Sequence, residues 1–141
     1  MLDQMDGQSN IPRHVGQCTV YFDDLDAIGM LYNGRYIAMI ERGMAAVMAR
    51  MGLPPGHEDV INVVREIQLI FGDPIRQPGT YDLTFWATDI GRSSATLEFR
   101  VESNGVEHVH GHRTVTKYDP TTGKSKPWST EILDKFGARS T

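Results

Sequence analysis

Apolar and polar positions change their period once along this chain. Between Asn33 and Met51 the apolar residues Tyr36, Ile37, Ile40, Met44, Val47, Met48 and Met51 recur at three- and four-residue steps, which predicts a helix. Asn33 is a good residue to cap its first turn, Gly52 stands where a left-handed C-terminal cap belongs, and Pro54-Pro55 forbid continuation. Gly43, Ala45, Ala46 and Ala49 widen the non-polar surface beyond a stripe, so this helix is expected to be enclosed on several sides. After Gly56 the period becomes two. INVVREIQLIF, YDLTFWATDI, SATLEFRVES and VEHVHGHRTVTKY read as strands; Tyr81, Leu83, Phe85 and Ala87, for example, alternate with Asp82, Thr84, Trp86 and Thr88. The breaks are turn-like: GDPIRQPG, DIGRS, SNG with its Asn104-Gly105 hairpin signal, and DPTTGK; a short helix is expected after Ser129.

Ahead of the helix, HVGQCTVYF reads as one more strand, with Cys18, Val20 and Phe22 on one face. A loop carrying Asp23, Asp24 and Asp26 follows, then Gly29. Residues 1–13 have almost no apolar periodicity and read as a flexible N-terminal tail, leaving 14–138 as a single domain. One strand, one long helix and four strands joined by short turns make an α+β plan. Short connections require antiparallel neighbours, and the helix is the element available to cover the sheet, so a curved antiparallel sheet wrapped around one long central helix is expected.

Composition narrows the function. At 141 residues the chain can bury a real core, and its net charge of −4 argues against a broad basic surface for nucleic acid or anionic membrane. No stretch approaches the roughly 18 apolar residues of a membrane span. A single cysteine excludes an internal disulfide and fits a reducing compartment, so a cytoplasmic location is expected. Cys18 has no neighbouring positive charge in sequence to activate a thiolate.

The acidic loop and the helix that follows it resemble the hotdog-fold acyl-CoA thioesterases, in particular the subgroup that includes 4-hydroxybenzoyl-CoA thioesterase. The residues that carry the resemblance are Asp24-Leu-Asp26-Ala-Ile-Gly29, then Tyr32-Asn33-Gly34-Arg35-Tyr36 and Glu41. Pro74–Gly79, Gly91–Ser94 and Val115–Lys124 match weaker family turns, and the likeness spans roughly residues 15–136. Many relatives carry His or Tyr where this chain has Asn33, and a larger residue is common at Gly34. What the resemblance implies is hydrolysis of an aliphatic or aromatic acyl thioester of coenzyme A, or of acyl carrier protein, by water and without a cofactor. It also implies a homodimer or homotetramer with sites between subunits.

Asp26 matches the family's catalytic acid, nucleophile or general base; the alternative is that it only orders its turn. Thioester cleavage also needs donors where the oxyanion develops, and the first helical turn, at Asn33 and Gly34, offers amides with no intrahelical acceptor. Tyr32, Tyr36 and Glu41 follow as substrate-binding candidates from the same motif. In relatives an Arg and a Ser at the turn holding Arg92, Ser93 and Ser94 contact coenzyme A phosphates, which suits guanidinium and hydroxyl chemistry; a plain polar hairpin is the alternative. Arg113, Lys124 and Lys126 have no assignable place. His108, His110 and His112 alternate on a predicted strand and would share one face, but no metal site is expected of them. Trp86 and Trp128 are candidates for an acyl pocket or for packing, and Met44, Met48 and Met51 for core. Two other readings stand beside the hydrolase: an acyl-thioester-binding protein without turnover, and a hotdog dehydratase, which His14 and His57 do not suit.

Overall fold

The computed structural model describes residues 11–137, so residues 1–10 of the expected tail and residue 138 of the expected domain lie outside the described residues. The remainder of that tail, 11–13, is half-buried, with the Arg13 guanidinium 3.9 Å above the Trp86 ring. Six strands and two helices follow: β1 (His14–Val20), α1 (Tyr36–Arg50), β2 (Asn62–Phe71), β3 (Gly79–Ile90), β4 (Ser94–Ser103), β5 (Val106–Asp119), β6 (Lys124–Ser125) and α2 (Thr130–Phe136). The sheet runs β1-β3-β4-β5-β2, with β6 paired to β5, and every pairing is antiparallel. Asn104 and Gly105 both have positive φ, as a two-residue hairpin turn demands, and join β4 to β5.

The long helix differs from expectation at its start. Asn33–Arg35 form a 3-10 turn and α-helical geometry begins only at Tyr36; no side chain caps either start. Asn33 already lies within the turn, so it does not occupy the flanking position from which a cap works. At the other end Leu53 N–H bonds the Met48 carbonyl and Gly52 N–H the Ala49 carbonyl, the paired closure expected where glycine follows a helix.

Burial of α1 is also narrower than its composition implies. Tyr36, Met39, Ile40, Gly43, Met44 and Val47 are buried, whereas Ala45, Ala46 and Ala49 are exposed, so in the single chain α1 rests on one face rather than being enclosed. At Gly43 the helix meets β1 and β3: a Cβ there would come within 2.9 Å of the Gln17 carbonyl and of Leu83. Phe85, Phe99, Leu83 and Val101 from β3 and β4 complete the core at 1% exposure or less. Each such large apolar side chain contributes about 1.5–3 kcal/mol by leaving water.

Of the two strands at the ends of the sheet, β1 and β2, the second is unusual. Val64, Ile67 and Phe71 stand opposite Val115, Arg113 and Val109 of β5, on the concave side that faces α1. They are nevertheless 40%, 40% and 48% exposed. The hollow of the sheet is unfilled along this edge.

Candidate active site

The acidic loop begins by turning away from the strand. Phe22, expected to share a face with Val20, instead opens a 3-10 turn (Phe22–Asp24) and is 82% exposed. The turn frees the chain from β3, whose pairing with β1 ends at Val20, so strand alternation no longer governs Phe22. Asp24 closes the turn by accepting from Tyr21 N–H at 2.8 Å, and its other oxygen pairs with Arg35 at 3.0 Å. Asp23 is exposed.

Asp26 orders the next turn. Its Oδ1 accepts from the amides of Ile28 (3.0 Å) and Met30 (3.2 Å), and its own N–H bonds the Met30 carbonyl. The residue is exposed, on a loop that leads through Leu31 directly into the 3-10 turn. Leu31 is anchored by its N–H to the Ile75 carbonyl at 2.8 Å, and both residues are buried. Asn33 and Gly34 are exposed, and within the turn it is Arg35 N–H that finds an acceptor, the Tyr32 carbonyl. Gly34 has a local reason to be small, since a Cβ there would lie 2.8 Å from the Tyr32 ring. Tyr32 itself is 58% exposed and, with Tyr21, Phe22 and Ile28, leaves an apolar rim open around the acids.

The remaining motif residues separate. Tyr36 is core: 3% exposed, its ring edge-on to Phe71, its hydroxyl accepting from Ile75 N–H. Glu41 borders a cavity of about 370 Å³ between α1, the concave sheet and α2. Met44, Met48, Leu53, Leu97, Val115 and Trp128 supply much of its apolar wall, which is of the size and character of small-ligand sites. Asp26 does not line it. Of the two tryptophans, Trp128 lines this space, whereas Trp86 stacks under Arg13.

At the β3–β4 turn the side chains of Arg92 and Ser94 are exposed while the backbone is tied down: the Arg92 carbonyl accepts from Trp128 N–H, that of Ser93 from Lys117 N–H, and that of Ser94 from the Trp128 indole. Lys126 is drawn alongside as its N–H donates a hydrogen bond to the Lys117 carbonyl, and its ammonium sits 3.8 Å from Glu58. Arg113 goes elsewhere, to the cavity, where it donates to Glu41 at 2.8 Å.

A buried ion pair anchors the far wall of the cavity. Lys117 Nζ lies 2.6 Å from Asp59 and 2.7 Å from Glu58, and both Lys117 and Asp59 are essentially inaccessible. Asp59 also accepts from Ser129 through its amide at 3.1 Å and through its hydroxyl. Ser129 therefore opens α2 without capping it, because its hydroxyl is spent on Asp59. Burial alone would raise the Asp59 carboxyl, but the hydrogen bonds from Lys117 and Ser129 outweigh it and hold the group below its ordinary range. Burial likewise opposes charge on Lys117, yet bonds to the two carboxylates raise its pKa. The sequence carried a signal for this arrangement. Val109, Gly111, Arg113, Val115 and Lys117 share a phase of two, so the apolar pair already marks the inward face.

The three histidines do not share a face. Val101 stands opposite Val109 but Glu102 opposite Glu107, so His108 is the extra residue of a bulge and turns inward. There it bonds the Asp73 carbonyl and the Ser103 hydroxyl, each at 2.7 Å, while His110 pairs with Glu107 and His112 with Glu66. Among the described residues no cluster of three or more metal-ligating side chains occurs. Burial pushes the Cys18 thiol up to about 12. None of the helices described is long and apolar enough to cross a membrane.

A curled antiparallel sheet holding one long helix against its hollow is the hotdog fold. Residues 20–136 match the sequence profile of the thioesterase-like superfamily, and the chain belongs to that family. Over 58 residues it is 29% identical to the acyl-CoA thioesterase YbgC of Helicobacter pylori, a match covering 41% of this chain and 44% of that relative; the aligned part is thus less than half the relative's length. Among solved structures it is similar to a 1,4-dihydroxy-2-naphthoyl-CoA thioesterase from Synechocystis, with a TM-score of 0.78 at 10% identity, covering 89% of this chain and 96% of that one. A DHNA-CoA thioesterase from Staphylococcus aureus gives 0.77 at 13% identity, covering 89% of each chain. At such identities the structural likeness speaks for the fold.

Proposed function

We propose that this protein hydrolyses an acyl thioester of coenzyme A or acyl carrier protein to the free acid and thiol. Asp26 acts on the carbonyl carbon, either attacking it or drawing a proton from water that attacks, and the thiolate leaves. The amides of Asn33 and Gly34, at the positive end of the helical segment, polarise the carbonyl oxygen. Water is the only co-reactant, and no resident cofactor takes part. Tyr32 lines the approach, Glu41 borders the acyl cavity, and Arg92 with Ser93 and Ser94 meets the nucleotide phosphates. The observation that carries this reading is an exposed carboxylate at Asp26 on a loop that runs straight into that first turn, in a chain of the thioesterase-like family.

Exposure of Asp26 and its apolar rim supports a site completed by a second copy. The half-covered concave face of β2, with Val64, Ile67 and Phe71 open, supports a homodimer joined along that edge, to which a further pairing would add a homotetramer. The single buried thiol suits the cytoplasm. One observation favours a second reading, acyl-thioester binding without turnover: one oxygen of Asp26 is already engaged by two turn amides.

The test is thiol release from short, long and aromatic acyl-CoAs and an acyl carrier protein thioester, by the wild type and Asp26→Asn. Activity lost in the variant supports the hydrolase. No release from any substrate, or full activity in Asp26→Asn, overturns it, and saturable binding without release establishes the second reading.

A further inference from the structure

The bulge in β5 aims one side chain at a loop on which both parts of the candidate site rest. In plain alternation His108 would share the outward side of His110 and His112; as the extra residue of the bulge it turns inward, 6% exposed, with the Tyr81 ring edge-on at 5.2 Å. Its Nδ1 meets the Asp73 carbonyl, which can only accept, so Nδ1 carries a proton. In the neutral ring Nε2 then accepts from the Ser103 hydroxyl. The amides of Gly72 and Asp73 are held by the carbonyls of His108 and Glu107, and Gln77 by the Tyr81 hydroxyl at 2.6 Å. The peptide that follows Asp73 leads into Pro74 and has no N–H, so its carbonyl bond to His108 is what orients its plane. The fixed φ of Pro74 carries that orientation on to Ile75. Ile75 is fully buried; its carbonyl accepts from Leu31 N–H at 2.8 Å, and its N–H donates to Tyr36 Oη at 3.3 Å. Leu31 is bridged to Leu25 across the Asp26 loop, and Leu31 and Tyr36 flank the turn that holds Asn33 and Gly34.

Resting on the reading that Asp26 and the amides of Asn33 and Gly34 act on a thioester, we propose that His108 is a positioning residue, whose Nδ1–H bond to Asp73 sets how Ile75 holds Leu31 and Tyr36 and so how the Asp26 carboxylate is placed against those amides. It touches neither substrate nor reacting atoms. Each link is a hydrogen bond or a peptide between adjacent residues, and the chain is continuous from the bulge to the loop. The consequence falls on the chemical step. Attack on a carbonyl depends steeply on the approach of the reacting groups, and a displacement of about 1 Å can cost on the order of 100-fold. Binding of the acyl portion is spared, because neither His108 nor any residue of 72–78 lines the cavity.

The test combines steady-state thiol release from an acyl-CoA that the wild type cleaves with amide hydrogen exchange of the full chain followed by NMR. His108→Leu, His108→Gln, His108→Asn and Ser103→Ala are compared. Asparagine keeps an N–H one bond from Cγ, where Nδ1 stands, whereas glutamine carries its amide one atom further out, toward Ser103. His108→Leu and His108→Gln should lose about tenfold or more in kcat with KM changed by less than about twofold, and the Leu31 amide should exchange faster. His108→Asn should restore most of both, and Ser103→Ala, which leaves the Asp73 bond in place, should keep kcat within about threefold of wild type. Should His108→Leu not fold, the contrast between Asn and Gln carries the test. Unchanged kcat in His108→Gln, a loss that asparagine does not repair, an equal loss in Ser103→Ala, or undiminished protection at Leu31 overturns the proposal while leaving the hydrolase reading intact. A wild type that cleaves no acyl-CoA removes the hydrolase reading itself, and this proposal with it.

Discussion

Lys117 on β5 and Asp59 in the 3-10 turn before β2 meet at 2.6 Å with neither side chain accessible to solvent. Through Ser129 the same carboxylate fixes the residue from which α2 departs. A charge pair inside the fold thus sets the position of a helix that walls the cavity.

Removing one member of this pair strands the other. Lys117→Met is expected to lose about 3–5 kcal/mol of stability, whereas combining it with Asp59→Leu recovers much of that loss. Urea unfolding of Lys117→Met, Asp59→Leu and the double variant checks both the size of the single effects and their non-additivity.

The pair also defines a pH range. Asp59 has a folded pKa below its unfolded value of about 3.9, so its contribution is present above that value and lost as pH falls through the lower, folded pKa. Lys117 is raised, so its contribution is complete below about 10.4 and is lost as pH rises through the higher, folded pKa. Stability should therefore fall at both extremes in wild type, and the Asp59→Leu, Lys117→Met double variant should show flatter limbs in denaturant titrations against pH.

His14 adds a slope nearer neutrality. Burial between Phe85 and Phe136 lowers its pKa, partly offset by a bond to the Lys135 backbone. Below about pH 6.5 the unfolded chain takes up the proton more readily than the folded one, so stability decreases as pH drops toward the folded value. Comparing unfolding midpoints at pH 7.5 and 5.5 should reveal this decrease, and His14→Phe should lessen it.

Cys18 is expected to be inert. With its pKa at about 12 and its side chain buried at the Gly43 crossing, it should not react with a thiol reagent at pH 8 until the protein is unfolded. Labelling followed by mass spectrometry, with and without denaturant, checks this.

Two substitutions at Asp26 separate chemistry from structure. Asparagine keeps an oxygen for the amides of Ile28 and Met30, so Asp26→Asn should lose about 100-fold or more in thiol release with little change in melting temperature. Asp26→Ala loses the same chemistry and also destabilises the loop by about 1 kcal/mol. Paired kinetics and thermal unfolding distinguish the effects.

Assembly has its own probe. Ile67→Lys places a charge on the open concave flank of β2 and should shift a dimer toward monomer in sedimentation analysis. Thiol release should fall with it even though Asp26 is untouched.

Where one period governs a segment, the sequence was readable: the long helix, the four later strands and the Asn104-Gly105 turn all follow from local pattern and turn chemistry. Phe22 and His108 escaped because a turn and a bulge interrupt alternation: Asp23 and Asp24 mark the turn only after Phe22, and nothing in residue type marks the bulge. Asn33 does not cap because it lies inside a short 3-10 segment, which puts the residue flanking the α-helix at Arg35, two positions further on. Arg113 and Lys117 were hidden by their charge: each lies in phase with buried valines, but a cation on an inward face needs a distant partner, and Glu41 and Asp59 come from separate elements. Asp26 was singled out by motif alone, and its Asx-type bonding to the next residues is the local part of that signal.

The cavity's outer boundary belongs to the last stretch of chain. Trp128, Ile132 and Phe136 border it from α2 and the segment just before, while the sheet, α1 and the connection holding Leu53, Pro55, Asp59 and Val60 supply the rest. Volume for the guest can therefore be enlarged or reduced by exchanging residues in one seven-residue helix, leaving the β-sheet and the acidic loop as they are. Under the proposed function, the size of guest accepted and the chemistry at Asp26 would be adjustable separately, a modularity that a protein engineer could exploit by rewriting α2 alone.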